Sequence, residues 1–483
     1  MATDVSWQAQ VRRLRESYPV FRIEDARATC SHSAVTLEFR FAAGEMRFRP
    51  VVELGGLCLD EATRVDSPTA RRLIRALAII EAFSYWKAFC SPVIEVALPA
   101  PDAAELAWWR LFWPGAMGEF FYRNAIDFTT PGFLDIKAAT DAGPAAGGAP
   151  PDPANTTDGS TATTKSPLVM FSGGKDSLAL TLAIRGSATS PVDFFLYNPT
   201  SQQRGLAESL AAGGRIFEVR REILPELLAL NAANHPNGHT PYSAYLAVAA
   251  MLAGYLRGSQ LVLVGNSRSD DEPNIESYLG RPVNHQWTKS HEFEAALRNY
   301  RDRWLPGAPV YSSPLRPLFE LQIIASLSGD IDAYLQTASC NRTRGEGWCR
   351  ACAKCAWVFL ATSALFGHQV AIRKTGSDLF ANPDLAELYE RMAGLTSTKP
   401  FECTGTEDEI RVAIRAIGQG HSPDDFPALA TCLRNPAVTT ARPLAALLAD
   451  WGRDDLVPDT LTGQIRKAVS RTPPTYQLPG HTP

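Results

Sequence analysis

The stretch Leu168-Val169-Met170-Phe171-Ser172-Gly173-Gly174-Lys175-Asp176-Ser177 decides the fold. Its four apolar residues lead directly into Ser-Gly-Gly-Lys-Asp-Ser, and a helical pattern follows from Leu178 to Ile184. This order predicts a strand, a phosphate-binding loop and a helix. Glycines let the backbone turn tightly and bring its N–H groups close to phosphate oxygens, and the helix N-terminus adds partial positive charge at the same place.

The polar residues of this loop indicate what kind of phosphate site it forms. Lys175 supplies a full positive charge, whereas Asp176 has the wrong sign for a phosphate contact, so we expect it to contact Mg²⁺ or to begin the helix. Ser177 can donate a hydrogen bond to an oxygen. The spacing differs from the Walker pattern, which needs four residues between its first glycine and Gly-Lys-Ser/Thr. An ordinary glycine turn is the alternative interpretation.

The loop resembles the PP-loop, the SGGxDS signature of enzymes that split ATP into AMP and pyrophosphate. This resemblance implies that the phosphates of ATP lie on the loop. The residues assigned to ATP binding on this basis are Ser172, Gly173, Gly174, Lys175, Asp176 and Ser177. AMP-forming chemistry usually adenylates an oxygen so that the attached carbon becomes reactive.

The composition is that of a soluble globular protein. The chain has 483 residues, of which 45% are hydrophobic and 20% charged, and this length predicts two or three domains. A formal net charge of -4 gives no reason to expect a nucleic-acid partner. No secretory signal is recognisable, and the longest apolar stretch, Tyr245 to Tyr255, is shorter than a bilayer span. We therefore expect a cytoplasmic protein with no membrane partner and with reduced cysteines.

The sequence predicts four units. Residues 1–137 are interpreted as an α+β domain, because Val35–Phe41 and Met46–Arg49 alternate apolar and polar residues around a short interruption, as in a β-hairpin. Residues 138–166, almost entirely Ala, Gly, Pro, Asp, Ser and Thr, are predicted to be a disordered linker. The two remaining predicted units are a catalytic, ATP-binding domain over residues 167–400 and a helical segment over residues 401–483.

A parallel sheet is predicted for the ATP-binding domain, which gives an α/β fold class. Mostly apolar runs separated by helical segments are typical of strands that helices cover on both faces. The runs are Leu168–Phe171, Phe194–Tyr197, Ile216–Val219 and Leu261–Val264. Ligands of such sheets bind at the carboxyl ends of the strands, which is where Ser172–Ser177 falls.

Four of the nine cysteines lie close together, with the spacing C-x8-C-x2-C-x2-C. They are Cys340, Cys349, Cys352 and Cys355. Four thiolates at this spacing can close a tetrahedral Zn²⁺ site without an open position, so we predict a structural zinc module. An iron–sulfur cluster is the competing interpretation. The other cysteines, Cys403 among them, are scattered and are interpreted as core residues.

Three polar segments are too specific in composition for loops that only connect elements. They are Asn237–Pro241, Gly265–Asn274 and Asn284–Ser290. The second follows a predicted strand, so it is expected on the ligand side of the sheet. His285 and Lys289 are four residues apart and share a face wherever this segment is helical. Helix capping and solvation are the alternative interpretation for each histidine.

These blocks together resemble the MurL family, ATP-dependent epimerases that act on the terminal L-Glu of UDP-N-acetylmuramoyl-L-Ala-L-Glu. The resemblance covers most of residues 75–405. The matching segments are Ser84–Ala88, Gly118–Asn124, Gly173–Ser177, Asn237–Pro241, Glu272–Pro273, Asn284–Ser290, Leu315–Leu318, Glu320–Leu321, Ser339–Asn341, Trp348–Cys349 through Lys354–Cys355, and Lys399–Cys403. It implies an isomerase of peptidoglycan synthesis that uses ATP, Mg²⁺ and structural Zn²⁺, and whose partner is a small nucleotide-sugar peptide.

The implied reaction needs groups that move a proton at Cα and groups that hold anions. The catalytic candidates are His239, His285, Lys289 and Arg316. The first three are candidates for proton transfer, because their pKa values can be tuned near neutrality. Arg316, together with Arg268, is a candidate for clamping a carboxylate or phosphate. Weaker candidates from the matching blocks, for which a salt bridge is an equal alternative, are Lys87, Glu119 and Glu402.

Three alternatives stay open at the level of sequence. Ser172 stands where the MurL family usually has a third glycine, and residues 138–166 look longer than expected, so a relative that epimerises another carboxyl-terminal amino acid is one alternative. The 7-cyano-7-deazaguanine synthases join a similar loop to a similar four-cysteine zinc cluster, but they are much shorter and lack residues like 1–137. A non-catalytic scaffold that senses ATP is the third; intact Lys175 and Asp176 argue against it.

Overall fold

A computed structural model describes residues 5–140, 166–185, 190–343, 347–396 and 398–470, without the side chains of residues 5–7. Nearly all of the predicted linker 138–166, and the tail from Pro473, lie outside these residues. Within the described parts, no helix is both long and apolar enough to cross a bilayer.

The first part of the chain builds a group of strands and the helices that cover them. Its elements are α1 (Val5–Ser17), β1 (Val20–Cys30), β2 (Ala34–Ala43), β3 (Met46–Phe48), β4 (Val51–Gly55), α2 (Leu59–Ala62), α3 (Pro68–Trp86), β5 (Val93–Val96), α4 (Ala103–Ala116), α5 (Gly118–Arg123) and β6 (Asp135–Ala138). Strands β1–β4 form an antiparallel group, and β5 and β6 extend it in parallel. The predicted hairpin is confirmed, since β2 pairs antiparallel with β3 and Phe41 lies opposite Phe48.

The middle of the chain alternates strands and helices. Its elements are β7 (Leu168–Met170), α6 (Lys175–Ile184), β8 (Asp193–Tyr197), α7 (Ser201–Ala211), β9 (Ile216–Arg221), α8 (Pro225–Ala232), α9 (Tyr242–Arg257), β10 (Leu261–Leu263), β11 (Ile275–Tyr278), β12 (Arg281–Val283), α10 (His291–Trp304) and β13 (Val310–Ser312). Four of these strands lie where the apolar runs predicted them, and they pair in parallel as expected.

The last part of the chain is helical in its described residues. Its elements are α11 (Glu320–Ala325), α12 (Ile331–Gln336), α13 (Ala353–Phe366), α14 (His368–Thr375), α15 (Ala386–Met392), α16 (Glu407–Gly418), α17 (Ala430–Arg434), α18 (Pro436–Thr439), α19 (Leu444–Leu448) and α20 (Asp459–Ser470). The helical character predicted beyond residue 400 is therefore present.

One large sheet runs through both the first and the middle parts of the chain. Its strand order is β13-β10-β7-β8-β9-β4-β2-β1-β5-β6, with β3 attached to β2. Neighbours from β13 to β9 are parallel, whereas β4 joins β9 antiparallel with Leu54 opposite Val219. The fold is thus a mixed α/β fold around a mainly parallel sheet, and the predicted domain limits stay predictions.

Helices cover both faces of the parallel strands. Side chains alternate between faces along a strand, and accordingly Leu168 packs in one apolar core with α3 and α9, whereas Val169 packs in the other with α6, α11 and α13. Strands β7, β10 and β13 all point the same way. Their carboxyl ends therefore deliver the loops that begin at Phe171, Val264 and Ser313 to one edge of the sheet.

Candidate active site

The loop after β7 is held in the shape that its glycines permit. Gly173 has a φ of +70°, and a Cβ added there would lie 2.8 Å from Cγ of Gln203, so both the backbone angle and the space require glycine. Nε2 of Gln203 donates to the carbonyl of Ser172 at 2.9 Å. Ser177 donates to the carbonyl of Gly174 at 3.0 Å and thus closes the first turn of α6.

Lys175 is buried in an ion pair at the start of α6. Its ammonium lies 2.6 Å from Asp176 Oδ1 and 2.8 Å from Glu320 Oε2. Burial opposes the charge, but the two carboxylates outweigh burial and raise the pKa of Lys175 above its usual value. Trp357 Nε1 donates to the same Glu320 carboxylate at 2.5 Å. Lys175 is therefore a fixed cation beside the loop.

The segment Gly265–Asn274 lies against this loop, as predicted. A Cβ on Gly265 would approach the backbone oxygen of Asp176 to 2.9 Å, so only glycine allows the two loops to lie this close. Asp270 accepts from the backbone N–H of Ser267 at 2.6 Å. Burial raises the pKa of Asp270 to about 6, although Lys289 opposes the shift.

A cavity forms where these loops meet the helices of the last part of the chain. We call it the loop cavity; its lining residues are Lys175, Asp176, Gly265, Ser267, Asp270, Lys289, Glu320, Lys354, Trp357, Val358 and Cys403. Seven of these residues carry polar groups that titrate or are charged. The predicted phosphate loop therefore shares a cavity with two of the three polar segments and with residues after position 350.

A second group of titratable side chains joins the polar segments to the first part of the chain. Oε2 of Glu119, on α5, lies 2.5 Å from His285 Nδ1 and 3.3 Å from His239 Nδ1. The two imidazole rings are 4.8 Å apart. Lys87, at the end of α3, donates to the carbonyl of Gly238 at 3.1 Å. These four residues, Lys87, Glu119, His239 and His285, form what we call the histidine cluster.

The two histidines of this cluster differ in charge. Burial, reinforced by the positive charge of His285, lowers the pKa of His239 to about 4. Burial also opposes the charge on His285, but hydrogen bonds to Cys403 and Glu119 outweigh it and raise the pKa of His285 to about 9. Burial lowers the pKa of Lys87 to about 8. At neutral pH the cluster thus contains a neutral imidazole next to an imidazolium.

Lys289 and Cys403 connect the histidine cluster to the loop cavity. Lys289 lies in a short 3₁₀ turn rather than a full helix turn, and its Nζ is 3.3 Å from Cys403 Sγ and 3.3 Å from Gln286 Oε1. Burial opposes the charge on Lys289, but Cys403 and Asp270 raise its pKa above its usual value. His285 also lowers the pKa of the Cys403 thiol. Both predicted residues of this segment therefore favour the charged form of the same thiol.

Cys403 is a site residue that the sequence analysis missed. It was interpreted as a scattered core cysteine, yet it is only half-buried and lines the loop cavity. Burial alone would raise the pKa of its thiol, but Lys289, Lys354 and His285 lower it to about 5. One indication of its role was present in the sequence, because Cys403 belongs to Lys399–Cys403, one of the segments that resemble the MurL family.

The two arginine candidates occupy different places. Arg316 is buried; its guanidinium lies 3.0 Å from Glu294 and donates to the carbonyls of Ser267 at 2.7 Å and Lys289 at 2.5 Å. It therefore ties together two loops of the site. Arg268 lies 3.1 Å from Asp450 and stacks over Phe319, with its guanidinium carbon 4.3 Å from the ring centroid, on the side of the C-terminal helices.

The four clustered cysteines converge in space. Their sulfur atoms all lie within 4.8 Å of one another, with Cys349 and Cys352 at 3.7 Å and 3.5 Å from Cys355. Such a group of thiols can hold a metal ion. Cys352 caps α13 and Cys355 lies in its first turn, so the group fixes the start of the helix that carries Lys354 and Trp357 into the loop cavity. Glu402 accepts from the backbone N–H of Lys354 at 3.2 Å.

The fold and this site define a member of the MurL family, to which the chain belongs. The MurL N-terminal domain model matches residues 12–313, and the MurL C-terminal domain model matches residues 336–445. Together these ranges contain the histidine cluster, the predicted phosphate loop, Arg316's partner Glu294 and all four clustered cysteines. The resemblance inferred from the sequence blocks is confirmed.

Three similar proteins carry the name UDP-N-acetyl-alpha-D-muramoyl-L-alanyl-L-glutamate epimerase. The protein of Salinispora tropica is 31% identical over 90% of this chain and 92% of its own length. The Micromonospora protein is 32% identical over 80% of this chain and 83% of its own length. The protein of Xanthomonas oryzae pv. oryzae is 29% identical over 73% and 76%, respectively. These names agree with the prediction of an epimerase-type isomerase.

Proposed function

We propose that this protein is an ATP-dependent epimerase that inverts Cα of the terminal glutamate of UDP-N-acetylmuramoyl-L-Ala-L-Glu and releases AMP and pyrophosphate. One observation supports the proposal: the glycine loop before α6 and the polar segment of His285 meet at Lys289 and Cys403, which line the same cavity as Lys175. Family membership and the names of the relatives supply the substrate. An α-proton beside a free carboxylate is very hard to remove, so the carboxylate must be activated before the proton moves. The two parts of the site therefore serve successive steps of one reaction.

The phosphate loop carries out activation. Ser172–Ser177 receive the phosphates of ATP, with backbone N–H groups and the Lys175 ammonium facing their negative charge. Asp176 would hold the Mg²⁺, since a half-exposed carboxylate beside the loop is the type of ligand that Mg²⁺ accepts. When bound there, Mg²⁺ neutralises phosphate charge during transfer. Joining the substrate carboxylate to AMP removes its charge and makes Cα–H acidic.

The histidine cluster carries out inversion. His239 is neutral at physiological pH and can accept a proton, whereas His285 is charged and can donate one. Lys289 stays protonated, so it stabilises negative charge that develops on the enolate oxygen rather than acting as a base. Lys87, whose pKa burial lowers to about 8, donates to the carbonyl of Gly238, the residue before His239, and its positive charge helps to keep His239 neutral.

Arg316 acts in this proposal as a positioning residue. Its guanidinium holds the carbonyls of Ser267 and Lys289 from within the protein, so it fixes the distance between the two polar segments. This assignment differs from the carboxylate clamp that the sequence analysis predicted for it. Its effect on the reaction passes through Lys289.

The four-cysteine group fits a single zinc ion. A tetrahedral site with Zn–S bonds of about 2.3 Å places its sulfurs about 3.8 Å apart, close to the 3.5 Å and 3.7 Å separations here. A 4Fe–4S cluster binds each thiolate to a different iron atom and needs wider spacing, and a 2Fe–2S cluster spreads its four thiolates over two iron atoms. All four positions are filled by sulfur, so the ion supports α13 and takes no part in the chemistry.

Metal analysis tests the zinc proposal. We expect about one zinc per wild-type chain, no visible absorption from iron–sulfur bonds, and loss of the metal with a lower melting temperature in Cys352→Ser, because binding and folding are coupled. Cys58→Ser, an exposed thiol outside the group, is the control. A purified protein that holds iron, or no metal, contradicts the assignment.

A coupled assay tests the proposed function as a whole. Wild-type protein with ATP, Mg²⁺ and the muramoyl dipeptide in D₂O is expected to release AMP and pyrophosphate, to incorporate deuterium at Cα and to yield D-Glu. Turnover only with another carboxyl-terminal residue favours an epimerase of different specificity. AMP release only with a deazapurine acid favours a synthase, and no turnover with any acid favours the scaffold.

A further inference from the structure

Cys403 lies where activated substrate and proton carriers must meet. Its sulfur is 3.3 Å from Lys289 Nζ, and it shares the loop cavity with Lys175 and Asp176. A cysteine with only a packing role needs no such neighbours. Two cations and an imidazolium around one thiol are instead typical of cysteines that react.

The partners of Cys403 form a chain of three groups. Nδ1 of His285 is held at 2.5 Å by Glu119, and His285 is one of the groups that lower the pKa of the Cys403 thiol. A nucleophile, a titratable partner and a third group that orients the partner are the features by which activated nucleophiles are recognised. The low pKa of the thiol, about 5, makes it a weak base but keeps it a thiolate at neutral pH.

We propose that Cys403 is a catalytic nucleophile that takes the acyl group from the adenylate, so that Cα is inverted on a thioester. The inference rests on the proposed function and adds a covalent step to it. Adenylation at the phosphate loop then activates the carboxylate for transfer to sulfur, and AMP leaves before the proton moves.

The step balances in atoms and charge. The thiolate attacks the acyl carbon, a C–S bond forms, the C–O bond to the phosphate breaks, and AMP departs with the electron pair. His239 then accepts the Cα proton while the electron pair moves onto the thioester oxygen near Lys289, and the His285 imidazolium donates a proton to the opposite face. Water finally attacks the thioester; one of its protons returns His285 to the imidazolium, and the other passes to solvent with the proton held by His239. The C–S bond breaks, and the sulfur leaves as thiolate.

A thioester suits this site for a chemical reason. Sulfur donates electrons to a carbonyl poorly, so a thioester leaves Cα–H nearly as acidic as an adenylate does. It also reacts with water more slowly, which gives time for exchange at Cα. The imidazolium of His285 stabilises the thiolate both before attack and after hydrolysis.

The test looks for the covalent adduct on wild-type protein. Substrate labelled in its glutamate is mixed with enzyme, ATP and Mg²⁺, quenched in acid at successive times, and the protein is analysed by intact mass and peptide mapping. We expect label bound to Cys403 that neutral hydroxylamine removes. Inversion at Cα without labelled protein at any time, or label on another residue, overturns the proposal.

Variants supply an independent measurement. Cys403→Ala is expected to lose deuterium incorporation at Cα by more than about 10³-fold, whereas Cys30→Ser, which changes an exposed thiol at the end of β1 that does not line the cavity, retains it. A Cys403→Ala protein that still exchanges within tenfold of wild type refutes the nucleophile. Should this variant not fold, adduct formation on wild type decides alone. Wild type that releases no AMP and exchanges no deuterium instead refutes the proposed function.

Discussion

Replacing Asp176 by asparagine is expected to lower AMP formation about 10³-fold while the fold survives. The change keeps the shape of the side chain and removes only its charge. Asp176 contacts Lys175 at 2.6 Å, but Lys175 retains its second ion pair to Glu320 at 2.8 Å. A Mg²⁺ ligand on a transferring phosphate contributes several kcal/mol, and about 4 kcal/mol corresponds to about 10³ in rate.

The measurement separates chemistry from folding. AMP and pyrophosphate release are followed with the muramoyl dipeptide at several Mg²⁺ concentrations, and melting temperature is recorded alongside. Asp66→Asn is the matched control, because this carboxylate is 81% exposed and pairs only with a surface arginine at 3.3 Å. Near wild-type turnover of the Asp176→Asn protein contradicts the role of the phosphate loop in the mechanism.

Local sequence patterns predicted those parts of the site that lie within one segment. The run Leu168–Ser177 specifies its strand, loop and helix through residues that are neighbours in the chain. The cysteine spacing works in the same way, because Cys349, Cys352 and Cys355 enter one turn at the start of α13. The parallel strands followed from their apolar composition, since burial on both faces leaves few alternatives.

The same patterns do not predict contacts between segments that are far apart in the sequence. Glu119 lies 166 positions from His285, and Cys403 lies 114 positions from Lys289. Neither pairing leaves a periodic trace in the sequence, so Cys403 was interpreted as a core thiol and Glu119 was only a weaker candidate, with a salt bridge as the alternative. The pairing of β4 with β9 is similar, since two strand edges with unpaired N–H and C=O groups meet without any local signal.

The break between α4 and α5 affects the contact between Glu119 and the two histidines of the cluster. The helical stretch over residues 103–123 is interrupted, since α4 ends at Ala116 and α5 begins at Gly118. Met117 between them has φ -109° and ψ 8°, outside the helical range. The break changes the direction of α5, which carries Glu119 to the two histidines. Helical periodicity alone does not reveal such a turn.

Glu119→Gln is expected to move the basic limb of the pH profile for Cα inversion to lower pH. His285 must be protonated, and its pKa of about 9 is held up by the negative charges of Cys403 and Glu119 against burial. A raised pKa means that the charged form is lost as pH rises through that value. With one of the two charges gone, the imidazolium is lost at lower pH.

The size of the effect therefore depends on pH. A fall of about one pKa unit reduces inversion at pH 9 about fivefold more than at pH 6.5, where His285 stays largely charged in both proteins. His239 does not contribute to this limb, because Glu119 opposes the lowering of its pKa to about 4, and removing that carboxylate leaves the imidazole neutral.

Wild type and Glu119→Gln are compared by the rate of deuterium incorporation at Cα from pH 6 to pH 10. The quantity plotted is kcat/KM at each pH. Arg123→Gln is the control, since Arg123 lies 3.1 Å from the other oxygen of the same carboxylate and is 57% exposed; its removal leaves the negative charge beside His285 in place. A basic limb that stays near 9 in Glu119→Gln means that another group titrates there. In that case the imidazolium of His285 is not the acid that the reaction requires.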